Sequence, residues 1–247
     1  MIYEGDTLQA GISVLNKMVS ESKHIVFFGG AGVSTESGIP DFRSADGLYN
    51  QKYDYPPEEI LSRYFFDEHP DVFYKFYREK ILLTDVQPNP AHYKLAEWEQ
   101  RGILSGIVTQ NIDGLHQKAG SHKVYEIHGT IRTNYCIKCG KSFDLDYVIK
   151  SIGVPVCDNC GGVIKPRVVM YGESLPDFIV GDAIGIICEA DMLIIGGTSL
   201  SVYPAASLVQ WFRGDKLVVV NRDSLKMDSN ADLVLHGSIG EIFSQLD

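Results

Sequence analysis

A chain of 247 residues that is 45% hydrophobic can bury a full core, and it suits one large α/β domain with a small insert. Its formal net charge of -10 and pI near 5.1 oppose a primary role on nucleic acid, because phosphate backbones reward the opposite sign. An acidic surface suits a cationic partner such as a lysine-rich peptide, and equally serves plain solubility.

The pattern predicts a helix over 7–20 and then a buried strand in the apolar run His24-Ile25-Val26-Phe27-Phe28. That strand runs into Gly29-Gly30-Ala31-Gly32-Val33-Ser34-Thr35, a glycine loop of the kind that offers bare backbone N–H groups to a pyrophosphate. Gly30 and Gly32 fill two positions of the dinucleotide fingerprint, Thr35 stands where the third glycine should be, and no acidic residue follows at the ribose distance. The glycines alone fit a tight strand-to-helix turn as well. Their continuation through Ile39-Pro40-Asp41-Phe42-Arg43 places an aromatic and an arginine in a loop suited to fold over a phosphate ester.

Helices over 57–63, 70–84 and 90–100 each open on proline, and strand 103–109 leads into Gln110-Asn111-Ile112-Asp113. Strands over 124–127, 192–195, 217–220 and 233–235, with helices over 177–188 and 204–212, complete a parallel, doubly wound sheet covered on both faces. The turn-rich segment 132–167 interrupts this pattern. It carries Cys136/Cys139 and Cys157/Cys160, with seventeen residues between the two Cys-x-x-Cys pairs. In a reducing compartment this is the spacing of one tetrahedral structural zinc with no ligand position open; a disulfide pairing is the weaker alternative. Cys188 reads as a small buried hydrophobe. No eighteen apolar residues run together and no basic segment leads into an apolar run at the N-terminus. The expectation is therefore no membrane span, no signal peptide and a cytoplasmic location.

Polar residues gather at the strand ends: Thr109 to Asp113, His128-Gly129, Gly197-Thr198-Ser199 and Asn221-Arg222-Asp223. Each has a bland reading as an Asx turn, a core histidine or a cap, but in α/β sheets ligands sit beyond these ends. With Gly-Ala-Gly-x-Ser, Gly-Ile-Pro-Asp-Phe-Arg, Thr-Gln-Asn-Ile-Asp, His-Gly, both cysteine pairs and Tyr-Gly-Glu in order, the chain closely resembles the sirtuins, NAD-dependent protein lysine deacylases, from Gly30 to about Ile239.

The resemblance implies a Rossmann-like, doubly wound parallel sheet with a small inserted zinc-ribbon module, 132–167, and a helical cofactor-loop region, 30–102, within a single catalytic domain, 1–247. It implies NAD as cofactor and acyl-lysine proteins or peptides as partners; no motif bears on oligomeric state. Ala31, Thr35 and Arg43 resemble ADP-ribose and phosphate contacts, and Phe42 resembles the aromatic that shields the nicotinamide ribose. Ile112 and Asp113 match the nicotinamide pocket, and Gln110 and Asn111 match ribose-side positions, with Asn111 and His128 in the catalytic set. Thr198, Ser199, Asn221 and Ile239 match the adenosine end, where Asn221 replaces the missing acidic ribose ligand. Val169 with Gly172-Glu173 resembles one edge of the acyl-lysine slot, and Ser201-Val202-Tyr203 the other, so a peptide would lie between them as an added strand.

The implied reaction is acyl transfer from lysine to ADP-ribose, releasing nicotinamide, free lysine and O-acetyl-ADP-ribose, with His128 as general base. Sirtuins that favour succinyl or malonyl groups carry a tyrosine and an arginine three residues apart. Here Tyr77 matches the tyrosine and Lys80 stands for the arginine, which implies acetyl as main substrate and a weaker activity on acidic acyl groups. This chain departs from the family in Gly29 before Gly-Ala-Gly, in Met170 before Tyr171, and in a short N-terminal segment. The competing readings are a mono-ADP-ribosyltransferase and a non-catalytic NAD-binding or zinc-ribbon module. Both edges of an acyl-lysine slot count against the first, and a base beside the ribose counts against the second. A conventional dehydrogenase fits neither the fingerprint nor the cysteines.

Overall fold

A computed structural model describes residues 1–44 and 47–247, so positions 45 and 46 of the expected cofactor-loop region lie outside the described residues. In chain order, β1 (Ile2–Glu4) leads through a 3-10 turn into α1 (Leu8–Ser20), followed by β2 (Ile25–Gly29). Three short helices come next, α2 (Pro57–Ile60), α3 (Arg63–Glu68) and α4 (Pro70–Phe76), then α5 (Pro90–Gln100) and β3 (Leu104–Thr109). α6 (Leu115–Lys118) and β4 (Val124–Glu126) precede the cysteine segment, which holds β5 (Gly129–Cys136), β6 (Ser142–Asp144), α7 (Leu145–Lys150) and β7 (Ile164–Val168). The chain closes with α8 (Asp177–Glu189), β8 (Met192–Gly196), β9 (Lys216–Asn221), β10 (Leu233–His236) and α9 (Ile239–Phe243).

Among the described residues the main sheet is seven-stranded, in the order β1-β10-β9-β8-β2-β3-β4, with every neighbouring pair parallel. Central β2 is buried along its whole length, and its alternation divides the core. Ile25 and Phe27 pack with Leu15 of α1, Leu95 and Trp98 of α5 and Phe243 of α9, while Val26 and Phe28 pack with Ala183 and Ile187 of α8. Each large apolar side chain removed from water this way contributes roughly 1.5–3 kcal/mol. From β2 the chain adds β3 and β4 on one side, then returns to add β8, β9 and β10 on the other. The strand order thus reverses between β2 and β8, and ligand crevices form beyond the carboxyl ends at such a reversal. Among the described residues no helix is long and apolar enough to cross a membrane.

A third core lies apart from the sheet. Phe66, Phe73, Tyr74 and Tyr77 pack with Ile131, Phe143, Val148 and Ile164, so the short helices and the cysteine-bearing sheet share one interior. That sheet is antiparallel, in the order β6-β5-β7. α5 belongs instead to the covering of the main sheet.

Several elements differ from the sequence expectation. The helix expected over 57–63 stops at Ile60 because Leu61 and Arg63 pair with Tyr171: Tyr171 N–H donates to Leu61 O at 3.0 Å, and Arg63 N–H donates to Tyr171 O at 2.9 Å. The helix expected over 70–84 leaves α geometry at Tyr77 and ends as a π-turn, Tyr77–Ile81. The wider turn stacks the Tyr77 ring on Phe73 at 5.3 Å and lets Arg78 reach the carbonyls of Val148 and Ser151. The segment expected as helix over 204–212 is wound as a 3-10 helix, Ala205–Trp211. Cys188, expected in the core, is exposed on α8, a helix that buries only Ala183 and Ile187.

The four remaining cysteines converge. Their sulfurs lie within 4.8 Å of one another, with Cys136–Cys160 at 3.5 Å and Cys139–Cys157 at 3.7 Å. Tetrahedral Zn–S bonds of about 2.3 Å place sulfurs about 3.8 Å apart, so this donor set fits a structural zinc with all four positions filled by sulfur. Each pair sits on a turn closed by glycine in the left-handed region, Gly140 at φ +74 and Gly161 at φ +68, and a side chain at Gly162 would meet the Cys136 sulfur. Metal analysis of protein purified without chelator should give one zinc per chain, and Cys157→Ala should lose both the metal and a large part of the thermal stability. Zinc-free protein of full stability would refute this assignment. A second expectation concerns Gly129, at φ +77, where an added Cβ would lie 1.9 Å from Arg167 O across the β5–β7 pair. Gly129→Ala should cost more than about 2 kcal/mol and lower Tm by about 5 °C or more in a thermal melt.

Candidate active site

The carboxyl ends of β2, β3, β8 and β9 lie side by side, with Gly29 paired to Thr109 and Gly196, and Gly196 to Val220. Beyond them opens a cavity of about 610 Å³. Of the residues matched to the cofactor, the catalytic set and the acyl-lysine slot, Ala31, Thr35, Phe42, Arg43, Tyr77, Lys80, Gln110 to Asp113, His128, Val169, Gly172, Glu173, Thr198, Ser199, Val202, Tyr203, Asn221 and Ile239 line it, and Ser201 does not.

The glycine loop is less bare than its sequence suggests. Gly30, Gly32, Val33 and Ser34 donate their N–H groups to Gly196 O, Gly197 O, Gly30 O and Ala31 O. Among the described residues, the amides of Ala31, Thr35 and Glu36 have no backbone or side-chain acceptor, so the loop's open donors fall at these three residues on the cavity wall. The glycines themselves serve close approach. A Cβ on Gly32 would meet Gly197 Cα at 2.8 Å, and one on Gly30 would meet Thr198 Cβ at 2.8 Å.

Behind this wall lies a buried polar network. Ser34, 1% exposed, donates to Asp113 Oδ2 at 2.7 Å and accepts from Asn111 Nδ2 at 3.1 Å. Asp113 Oδ1 accepts from Leu115 N–H at 2.8 Å. Burial raises the Asp113 pKa, against the lowering effect of Leu115 N–H, the Ser34 hydroxyl and the Arg132 charge. Ser34 was not singled out from the sequence, although it is the serine of the Gly-Ala-Gly-x-Ser motif. One hydroxyl thereby fixes both the amide and the carboxylate of the Asn-Ile-Asp turn.

His128 Nδ1 sits 3.0 Å from Gln110 O. A carbonyl only accepts, so Nδ1 carries the proton and Nε2 keeps its lone pair. Burial lowers the His128 pKa, partly offset by the bond to Gln110 O, which keeps the ring neutral at pH 7. Gln110 in turn donates Nε2–H to Thr198 Oγ1 at 3.1 Å, and Thr198 N–H donates to Asn221 Oδ1 at 3.1 Å. A chain of hydrogen bonds therefore crosses the rim from the histidine to the far strand ends. Asn221 spends its other end on Asp223 O at 2.7 Å, which makes it first an organiser of the rim. Ser199 is exposed and bonded to Ser201 at 2.7 Å.

Two other histidines near the site have only structural surroundings. His116, on α6, packs against His92 at 4.8 Å and Phe27 at 6.3 Å; burial lowers the pKa of both, that of His92 to about 4. Both are neutral at pH 7, and their contribution to stability is complete above about pH 6.5 and lost as pH falls towards 4.

The segment 169–173 forms a second wall. Val169 N–H donates to His128 O at 2.9 Å, which joins this wall directly to the histidine. Glu173 does not face outward: Oε2 accepts from Lys165 Nζ and Met170 N–H at 2.9 Å each, and Oε1 accepts from Arg63 Nη1 at 3.1 Å. Lys165 is 2% exposed, so this pair braces the turn from inside. Opposite, Val202 follows Leu200, whose φ of +50 is held by its N–H to Thr198 Oγ1 at 3.1 Å. At the inner end, Tyr77 is buried, and among the described residues its hydroxyl has no partner. Lys80, displaced by the π-turn, donates to Gln51 Oε1 at 3.2 Å and lies 5.7 Å over the Tyr53 ring.

Comparison with known proteins agrees with this arrangement. A Sir2 family profile matches residues 30–204. A Clostridium acetobutylicum protein named NAD-dependent protein deacetylase is 58% identical over 94% of this chain and 96% of its own length. A Sir2 enzyme of known structure superposes with a TM-score of 0.88 at 39% identity, covering 96% of both chains. A Sir2 structure with deacetylated p53 peptide and 3′-O-acetyl-ADP-ribose has a TM-score of 0.87 at 40% identity, covering 94% of this chain and 95% of its own. With the profile spanning most of its length and relatives this close, the chain belongs to the Sir2 family.

Proposed function

We propose that this protein is an NAD-dependent protein lysine deacetylase that turns acetyl-lysine, NAD and water into lysine, nicotinamide and O-acetyl-ADP-ribose. The observation that carries the reading is the neutral His128, its Nδ1 fixed by Gln110 O and its own carbonyl bonded to the acyl-lysine wall at Val169. The deacetylase name of the 58% identical relative and the products held by a structural neighbour support it. NAD supplies an electrophilic ribose carbon with nicotinamide as its leaving group.

The open amides of Ala31 and Thr35, with Arg43, suit the phosphates. Ile112 and Asp113 would hold the nicotinamide end, with Asp113 accepting from a carboxamide, and Asn111 would stand on the ribose side beside His128. Gln110, Thr198, Ser199, Asn221 and Ile239 hold the ribose and adenosine end. Phe42, on the cavity wall, would shield the reacting carbon from water, whose entry would divert the reaction to simple hydrolysis. His128 takes a hydroxyl proton at Nε2. Val169, Gly172 and Val202 bind the peptide backbone, and Glu173 holds that wall in shape through Lys165. Zinc stays outside the chemistry. A reducing cytoplasm suits four cysteine thiolates on one metal, and the acidic surface suits lysine-rich protein partners over nucleic acid or membrane.

His128→Ala should keep the fold and lower turnover at least about a hundredfold, the range of general-base loss. Because burial depresses the His128 pKa, activity on the acidic side should fall below the ordinary histidine value of about 6.5. Near-normal turnover in the alanine variant, or an acidic limb above 7, would count against the base.

For acyl choice, an ammonium shared with Gln51 and Tyr53 lacks the fork that grips a carboxylate. Acetyl should be the main substrate, with a weaker succinyl activity that falls in Lys80→Ala. Succinyl removal absent from the parent, or unchanged in the variant, would leave Tyr77 and Lys80 without a part in selection.

A further inference from the structure

The described residues of the loop from Asp41 to Asn50 are braced from within. Leu48 and Tyr49 donate their N–H groups to Asp41 O and Phe42 O at 2.9 Å each. Asp41 Oδ1 accepts from Arg43 N–H at 3.0 Å and Ser44 N–H at 2.7 Å, and Asn50 Nδ2 donates to Ser44 O at 2.6 Å. Tyr49 is the loop's aromatic centre. Its ring lies 5.5 Å from that of Phe42, and the Arg43 guanidinium carbon sits 5.4 Å over it. The two loop residues read above as cofactor contacts therefore rest on one phenol.

That phenol reaches across the cavity. Tyr49 Oη lies 2.6 Å from Tyr171 Oη. Tyr171 belongs to the acyl-lysine wall and is anchored there by its backbone, through Leu61 O and Arg63 N–H, beside the Glu173–Lys165 brace. Burial and the shared proton push the Tyr49 phenol up, so it remains a neutral hydroxyl able to donate or accept. Among the described residues, a loop braced within itself is thus joined to a fixed wall through the Tyr49–Tyr171 side-chain bond.

We propose that the Tyr49–Tyr171 hydroxyl pair ties the cofactor loop to the acyl-lysine wall, making both tyrosines positioning residues for NAD; this rests on the reading of the site given above. A single hydroxyl bond at a partly exposed rim shifts a closed-to-open ratio about threefold to tenfold. That is enough to hold Phe42 and Arg43 over the site and too little to bar NAD from entering. It also lets an occupant of the acyl-lysine wall act on the loop through Tyr171, at a distance from the reacting atoms.

The test uses Tyr171→Phe, Tyr49→Phe and the double variant, which keep the rings and remove hydroxyls. Hydrogen exchange of segment 41–50 in the unliganded protein should quicken about threefold to tenfold in each, with the main sheet unchanged. The Kd for NAD by calorimetry and the KM for NAD should rise by a similar factor, with kcat at saturating NAD within about twofold. The double variant should add nothing to either single one. Unchanged exchange in Tyr171→Phe overturns the tie. Altered exchange with unchanged NAD affinity, or additive single effects, overturns the positioning role. The exchange and calorimetry arms need no turnover, so a parent inactive on acetyl-lysine overturns the reaction proposed above while those arms still decide the tie.

Discussion

At the reversal of strand order, two backbones touch. Gly32 donates to Gly197 O at 2.8 Å, and Gly197, at φ +57, has room for no side chain, since a Cβ there would lie 2.3 Å from Val33 N. The turn after β2 and the turn after β8 are thereby pressed together over the crevice that a doubly wound sheet leaves open. Most other features of the site follow from this contact. It directs the free amides of Ala31 and Thr35 to the cavity, brings Ser34 down onto Asn111 and Asp113, and sets Thr198 between Gln110 and Asn221.

The polar groups so gathered are costly to bury, and the fold meets that cost with its own partners. An unpaired buried carboxylate or amide would lose roughly 1–3 kcal/mol or more in unmade hydrogen bonds. Here Asp113 has Ser34 and Leu115, Asn221 has Thr198 and Asp223, and His128 has Gln110. Each side chain is held in one orientation before any ligand arrives. Such preorganisation would present His128 Nε2 and the Asp113 carboxylate to the proposed reaction without a reorganisation step.

Much of this was legible in the sequence because it rests on local pattern. The parallel, doubly wound sheet follows from alternating apolar strands and helices, the metal cluster from two Cys-x-x-Cys turns, and the gathering of the rim from polar residues at strand ends. What was not legible depends on contacts between distant segments. The early stop of α2 needs the pairing of Leu61 and Arg63 with Tyr171, more than a hundred residues away. The π-turn at Tyr77 needs Phe73 to stack on and the carbonyls of the cysteine segment for Arg78 to reach. Glu173 resembled a slot residue, but its buried partner Lys165 carries no local signal, since lysine is ordinarily a surface residue. The glycine loop showed the converse: its sequence suggests bare amides for a pyrophosphate, yet the glycines serve close approach to Gly197 and Thr198 of their own chain.

The shared core of the short helices and the cysteine-bearing sheet explains how a metal outside the chemistry bears on the active site. Cys136 ends β5 and pairs in register with Ile164 of β7, which runs through Val168 straight into Val169, the residue bonded to His128 O. Ile164 and Ile131 pack with Phe73 and Tyr77, so the same interior also supports the helices that line the inner end of the cavity. Without the metal, four thiols would be left to hold two turns whose geometry matches a tetrahedral centre, and β7 would lose its outer anchor. The wall proposed to hold acyl-lysine is the continuation of that strand. A zinc-free protein would therefore lose the proposed slot through disorder of its support and would loosen His128, which directly precedes β5 and is bonded to Val169, while Gln110 to Asp113, at the end of β3 on the main sheet, would keep their places.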